Sequence, residues 1–152
     1  MLVIMLDTNA VNTIGYNESF LNHTIKAINK KKITIFITHV QIDEIKEIPD
    51  SCEQMRSKLL VFIEKYCRRI PTDGIIFGIS RFDECCFSDG KDIESIRKGK
   101  SKLTKDALIA ATAKINADYL VTDDIELTKR VNMDLPDLKL LTSAEFYKLI
   151  FE

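Results

Sequence analysis

Apolar residues fall into two patterns along this chain. Short unbroken runs stand at "LVIML" (2–6), "ITIFIT" (33–38), "YLVT" (119–122) and "LKLLT" (138–142). Runs of this length, rich in branched and aromatic residues, predict strands buried on both faces. Elsewhere the apolar residues recur at steps of three and four. Met55, Leu59, Phe62, Ile63 and Tyr66 do so within 51–67 and predict an amphipathic helix. Residues 18–31 carry a second helical pattern, and 39–48 a third that Pro49 stops. "TKDALIAATAKINA" (104–117) consists of strong helix formers, with Thr104 as the expected N-cap. "SAEFYKLI" (143–150) is expected as a capped helix.

Strands that alternate with helices predict an α/β fold. The expected sheet is parallel, of about four to five strands, flanked by helices on both faces. The segment 71–102 is less regular. Its "IPTDGIIFGISRF" allows a short strand or a loop, and "DGKDIESIRKGKSK" reads as a polar helix followed by a basic loop. No internal repeat, low-complexity tract or linker interrupts the 152 residues, so one domain over 1–152 is expected.

Composition adds little to this outline. An apolar fraction of 45% supports a core without staples. A net charge of -1, from 22 basic and 23 acidic residues, neither demands nor excludes a nucleic-acid partner. Cys52, Cys67, Cys85 and Cys86 form no C-x-x-C pair, and His23 and His39 are not at ligand spacing with them. They read as reduced thiols rather than a zinc site. The leading "MLVIML" lacks the length and basic lead-in of a signal peptide. No window approaches the ~20 apolar residues of a membrane span. No membrane partner and a cytoplasmic location are therefore expected.

The acids change the picture more. In open parallel sheets, ligands bind beyond the carboxyl ends of the strands. Asp7 directly follows "LVIML", and Asp123 and Asp124 directly follow "YLVT". Glu44 lies in the helix after "ITIFIT", and Asp106 in the first turn of the helix that feeds "YLVT". Each alone suits a helix cap or a macrodipole. Together at one sheet edge they repel, and they persist chiefly where a cation compensates. Oxygen-only ligands favour Mg²⁺ or Mn²⁺. Helix geometry separates Asp43 from Glu44. At about 100° per residue, Ile42, Ile45 and Ile48 span roughly 120°, and Glu44 lies about 40° beyond that stripe. Glu44 thus looks along the core edge, whereas Asp43 points to solvent.

Three motifs, "MLDTNAV", "ITIFITHVQIDEI" and "KDALIAATAKINADYLVTDD", resemble in content and order the PIN domain, a nuclease superfamily that includes VapC-like toxins. The resemblance spans nearly the whole chain. It implies a parallel sheet flanked by helices, and metal-dependent cleavage of RNA or, less often, of single-stranded or flap DNA. The catalytic acids it implies are Asp7, Glu44, Asp106 and Asp124, the last because it falls two residues after the motif threonine Thr122. Asp7, Asp106 and Asp124 are the implied metal ligands, Asp106 directly or through water. Glu44 is expected either to bind metal or to help deprotonate water. Thr8 and Asn9 match positions that brace the first acid, and Thr122 a hydroxyl lining the site. Asp123 is left as a loop acid, a cap or a water-linked outer group. The resemblance further implies an RNA substrate, an antitoxin protein partner and a homodimer.

For substrate contacts, "RKGKSKLTK" (97–105) supplies Lys98, Lys100, Lys102 and Lys105 on the approach to Asp106, and Arg81 is a further candidate. Segment 68–102 is longer than in compact VapC-like toxins. Two rival enzyme classes fail on motif. A receiver-type domain needs an aspartate pair after the first strand, and a dehalogenase-type phosphatase needs D-x-D where Asn9 stands. The remaining alternative is a non-catalytic PIN-like module that binds RNA or protein.

Overall fold

A computed structural model describes residues 1–99 and 103–151. Leu2–Leu6 forms the central strand β1, and its side chains alternate across the sheet. Ile4 and Leu6 enter one apolar cluster and Met5 the other, all three fully buried. Thr8–Tyr16 (α1) and Glu18–Asn29 (α2) follow, then β2 (Ile33–Ile37), α3 (His39–Lys46), α4 (Glu53–Tyr66) and β3 (Cys67–Arg69). Two-residue strands β4 (Thr72–Asp73) and β5 (Cys85–Cys86) pair with each other, and α5 (Lys91–Arg97) and α6 (Thr104–Asn116) come next. The chain then forms β6 (Tyr119–Val121), α7 (Ile125–Asp134), β7 (Leu140–Leu141) and α8 (Ser143–Phe151).

The main sheet has the order β3-β2-β1-β6-β7, and every pairing in it is parallel. From β1 the chain steps outward to β2 and β3. It then returns to the other side of β1 with β6 and steps outward to β7. The strand order therefore reverses between β1 and β6. In such sheets that reversal opens a crevice at the carboxyl ends of the two strands. One face is covered by α1, α2, α4 and α8 through Val11, Phe20, Leu59 and Phe146. The other is covered by α5, α6 and α7 through Ile96, Leu108 and Leu127. Helix α3 contributes Ile42 and Ile45 to the first cluster and Val40 to the second, so it sits at the sheet edge beside the crevice.

The expected α/β architecture, a parallel sheet of about four to five strands with helices on both faces, is observed, with five strands in the main sheet. Three details differ. Thr8–Tyr16 is helical (α1) although its apolar spacing predicts no helix. Cys67 leaves the helical pattern of 51–67 and starts strand β3. Thr104 is the first helical residue rather than the cap, and Leu103 holds the cap position without a side-chain bond. The cap of α8 is as expected. The Glu145 carboxylate accepts the Thr142 N–H at 2.8 Å, and the Thr142 hydroxyl accepts the Glu145 N–H at 3.2 Å. The four cysteines are free thiols, and burial pushes Cys67 up to about 12, out of reactive range. Among the described residues no helix is long and apolar enough to cross a membrane.

Candidate active site

Asp7 ends β1 and caps α1. It is 3% exposed. Its Oδ1 accepts the Thr8 N–H at 2.7 Å, and its Oδ2 accepts the Thr122 hydroxyl at 2.9 Å. The Thr122 hydroxyl in turn accepts the Asp124 N–H at 3.1 Å. One hydroxyl at the end of β6 therefore links two of the expected acids. Thr8 joins a third to them: its N–H holds Asp7, and its hydroxyl donates to Glu44.

Glu44 reaches Thr8 because α3 is locked against the end of β1. Thr38 and Gln41, both fully buried, form a reciprocal capping box at the start of α3. Gln41 Nε2 then donates to the Leu6 carbonyl at 3.0 Å, immediately before Asp7. Asp43 faces the other way, as the helical arc requires, and pairs with Arg81. Lys105 lies 3.7 Å from Glu44 and 3.9 Å from Glu47.

The two adjacent aspartates serve different helices. Asp124 Oδ1 accepts the Leu127 N–H at 2.9 Å and caps α7. Asp123 accepts the Ser143 N–H at 2.8 Å and the Ser143 hydroxyl at 2.5 Å, tying the end of β6 to the start of α8. Asp106 sits half-buried in the first turn of α6.

These acids interact electrostatically. Burial pushes Asp7 up to about 6 against the pull of the Thr122 and Thr8 hydrogen bonds, with Glu44 and Asp124 adding repulsion. Burial first, and then the charges of Asp7, Glu44, Asp124 and Glu126, push Asp106 up to about 7. The crevice thus holds more negative charge than its hydrogen bonds neutralise. Among the described residues no three His, Cys, Asp or Glu side chains already surround one ion-sized point. Asp7, Glu44 and Asp124 are each turned onto a protein donor. The donor set still fits a hard divalent cation, being oxygen-only, anionic and under mutual repulsion.

No protein-family model matches the chain, and no curated protein matches it. A chain in the crystal structure of VapBC2 from Rickettsia felis, bound to a DNA fragment from their promoter, does match in three dimensions. The TM-score is 0.57 at 22% identity, over 93% of this chain and 98% of that one. The fold is PIN-like.

Within the PIN-like fold, Asp7, Glu44, Asp106 and Asp124 come together at the crevice, with Thr8 and Thr122 between them. Asn9 is exposed on α1, and its carbonyl accepts the Thr13 hydroxyl at 3.0 Å. Arg81 is committed elsewhere: it makes bonds of 2.8 and 2.9 Å to Asp43 and one of 3.1 Å to Glu84. Lys98 lies 3.1 Å from Asp134 on α7. Lys105 is the cation of the expected set found beside the acids, while Lys100 and Lys102 lie outside the described residues. Sequence reasoning missed Gln41, whose signal was the T-x-x-Q box at 38–41. It also missed Glu126, two residues past Asp124, which adds to the charge on Asp106.

Proposed function

We propose that this chain is a metal-dependent endoribonuclease that hydrolyses phosphodiester bonds of RNA at a carboxylate-bound Mg²⁺ or Mn²⁺ site. The observation that carries this reading is the set of four carboxylates at the β1/β6 reversal, two of them held well above the usual carboxylate range. Asp7, Asp106 and Asp124 are the residues that would hold the ion. A divalent cation so held supplies water activation, polarisation of the phosphoryl oxygens and orientation for displacement. The protein's share is positioning. Thr122 fixes the rotamer of Asp7, and the α7 cap fixes that of Asp124. Thr8 holds Glu44 at the site rim, where it can bind the ion or accept a proton from water. Lys105 offers a charge to the substrate phosphate from the same rim.

The VapBC2 neighbour favours a role as the toxin of a toxin–antitoxin pair, with an antitoxin protein as partner. Free thiols suit the reducing cytoplasm, the compartment we assign. The competing reading is a non-catalytic PIN-like module that binds RNA or protein. It draws on the absence, among the described residues, of a ready-made ion cage.

A ribonuclease assay with Mg²⁺, Mn²⁺ and chelator separates the two readings. Hydrolysis that requires the cation and vanishes in Asp7→Asn is the expected result. Full Mn²⁺-dependent hydrolysis by Asp7→Asn overturns the site assignment. Binding of RNA without hydrolysis under any cation favours the module.

A further inference from the structure

Pairing between β1 and β2 ends at Met5 and Phe36, one residue short of Leu6. A side chain makes the next rung. Gln41 Nε2 donates to the Leu6 carbonyl at 3.0 Å. On the other side of the same peptide group, the Asp7 N–H donates to the Val121 carbonyl at 2.9 Å. The peptide that leads into Asp7 is therefore held from both sides. On one side is α3, which carries Glu44, and on the other the end of β6, three residues before Asp124. A second tie lies one turn further along α3, where the Thr8 hydroxyl donates to Glu44. Leu6 and Thr8 flank Asp7, and positions 41 and 44 lie one above the other on one helix face. Two ties so spaced set both the distance and the tilt of α3 against the end of β1. With one tie the helix can pivot.

Gln41 is fully buried, and both ends of its amide are occupied. Its Oε1 accepts the Thr38 N–H at 3.0 Å and also the Thr38 hydroxyl. The capping box needs only that acceptor, and glutamate supplies it as well as glutamine does. The donor is surplus to the cap, and it goes to the residue before Asp7. An amide provides donor and acceptor together without placing a charge in the core.

We propose that Gln41 is a positioning residue for the cation site: through Leu6 it fixes Asp7 relative to Glu44, and this fixed geometry favours Mg²⁺ over a larger ion. The inference rests on the metal-dependent ribonuclease reading of the crevice. Mg²⁺ demands near-octahedral oxygens at about 2.0–2.1 Å, whereas Ca²⁺ accepts about 6–8 oxygens at about 2.3–2.6 Å in flexible arrangements. A crevice whose wall can pivot loses Mg²⁺ before it loses Ca²⁺. Groups that orient ligands without touching the ion change metal affinity by roughly 10- to 100-fold.

Three variants separate positioning from capping. Gln41→Met keeps the side-chain length and removes every amide bond. Gln41→Glu keeps the acceptor for Thr38 and, as a carboxylate, offers Leu6 no donor. Thr38→Val weakens the α3 cap and leaves the Leu6 bond in place. Each protein is titrated with Mg²⁺ and with Ca²⁺ at pH 7.5, and binding is read from the rise in Tm above that protein's own metal-free value. Both Gln41 variants should bind Mg²⁺ roughly 10- to 100-fold more weakly, with a smaller loss for Ca²⁺. Thr38→Val should have a lower Tm and bind both cations as the wild type does. With RNA at saturating Mg²⁺, Gln41→Met should lower kcat and leave KM for RNA unchanged. Wild-type Mg²⁺ affinity in a Gln41 variant, equal losses for the two cations, or an equal Mg²⁺ loss in Thr38→Val overturns the role. Failure of both Gln41 variants to fold also overturns it and leaves Gln41 as a core residue only. The two readings fail separately. Weakened Mg²⁺ binding in the Gln41 variants without hydrolysis by the wild type sinks only the nuclease. Mg²⁺-dependent hydrolysis by the wild type with unaltered Mg²⁺ affinity in the variants sinks only the positioning role. A wild type that binds neither cation overturns both.

Discussion

Asp123 and Asp124 are neighbours in sequence with unlike duties, and the difference can be measured. Asp124 combines the α7 cap with a place among the repelling acids. Asparagine caps a helix about as well as aspartate. Asp124→Asn should therefore leave the denaturation midpoint nearly unchanged while cleavage falls below detection. Among the described residues Asp123 bonds only to Ser143, so Asp123→Ala should cost about 1 kcal/mol, as cap losses do. Asp123→Asn should reduce cleavage roughly tenfold, the effect of disturbing an outer support. If urea titration and RNase assays return the reverse pattern, the metal role belongs to Asp123. At this scale the sequence was informative wherever roles follow from local spacing. The count from Thr122 to Asp124 and the helical arc dividing Asp43 from Glu44 are both local. The partner of Arg81, Asp43, lies 38 residues away, and no spacing rule reveals that pairing.

Among elements, α1 shows how packing overrides propensity. Thr8, Asn9, Asn12, Thr13 and Gly15 are poor helix formers, which hid the helix from a pattern reading. It forms because Asp7 caps it and because Ala10, Val11 and Ile14 enter the core. Strand β3 was hidden for the same kind of reason. Its "CRR" has no strand signature and is strand only by pairing with β2. The long apolar runs of β1, β2 and β6 and the helix formers of α6 were legible because many residues vote together. Gly15 allows a direct test of the α1–α4 contact. An added Cβ would lie 2.2 Å from Leu59 Cδ2, and Leu59 is fully buried. Helix propensity favours alanine over glycine by about 1 kcal/mol, whereas overpacking costs about 1–3 kcal/mol. Gly15→Ala should therefore destabilise the wild type yet stabilise a Leu59→Ala background. Equal effects in both backgrounds, in a double-mutant cycle by chemical denaturation, would show that α1 does not press on Leu59.

For the molecule as a whole, the order β3-β2-β1-β6-β7 was not readable, since pairing partners are not encoded in any one segment. That order nevertheless decides the site, by bringing the ends of β1 and β6 side by side. The consequence is a charge imbalance that the net charge of -1 conceals. Asp7 and Asp106 titrate near 6 and 7 in the fold, above the ordinary 3.8. Between those values the folded chain holds more protons than the unfolded one, so stability falls as pH rises through that window. Moving Asp7 from 3.8 to about 6 corresponds to roughly 3 kcal/mol. Metal-free protein should accordingly be less stable at pH 7.5 than at pH 5, and Asp7→Asn should flatten the slope. A cation binding the ionised acids opposes the loss, by about 2.7 kcal/mol at a hundred times its Kd. Mg²⁺ should raise Tm at pH 7.5 and hardly at pH 5, where protons occupy the same oxygens. Calorimetry across this grid tests the site without any substrate. A Mg²⁺ response that survives Asp7→Asn, or that is equal at both pH values, places the cation away from the β1/β6 crevice.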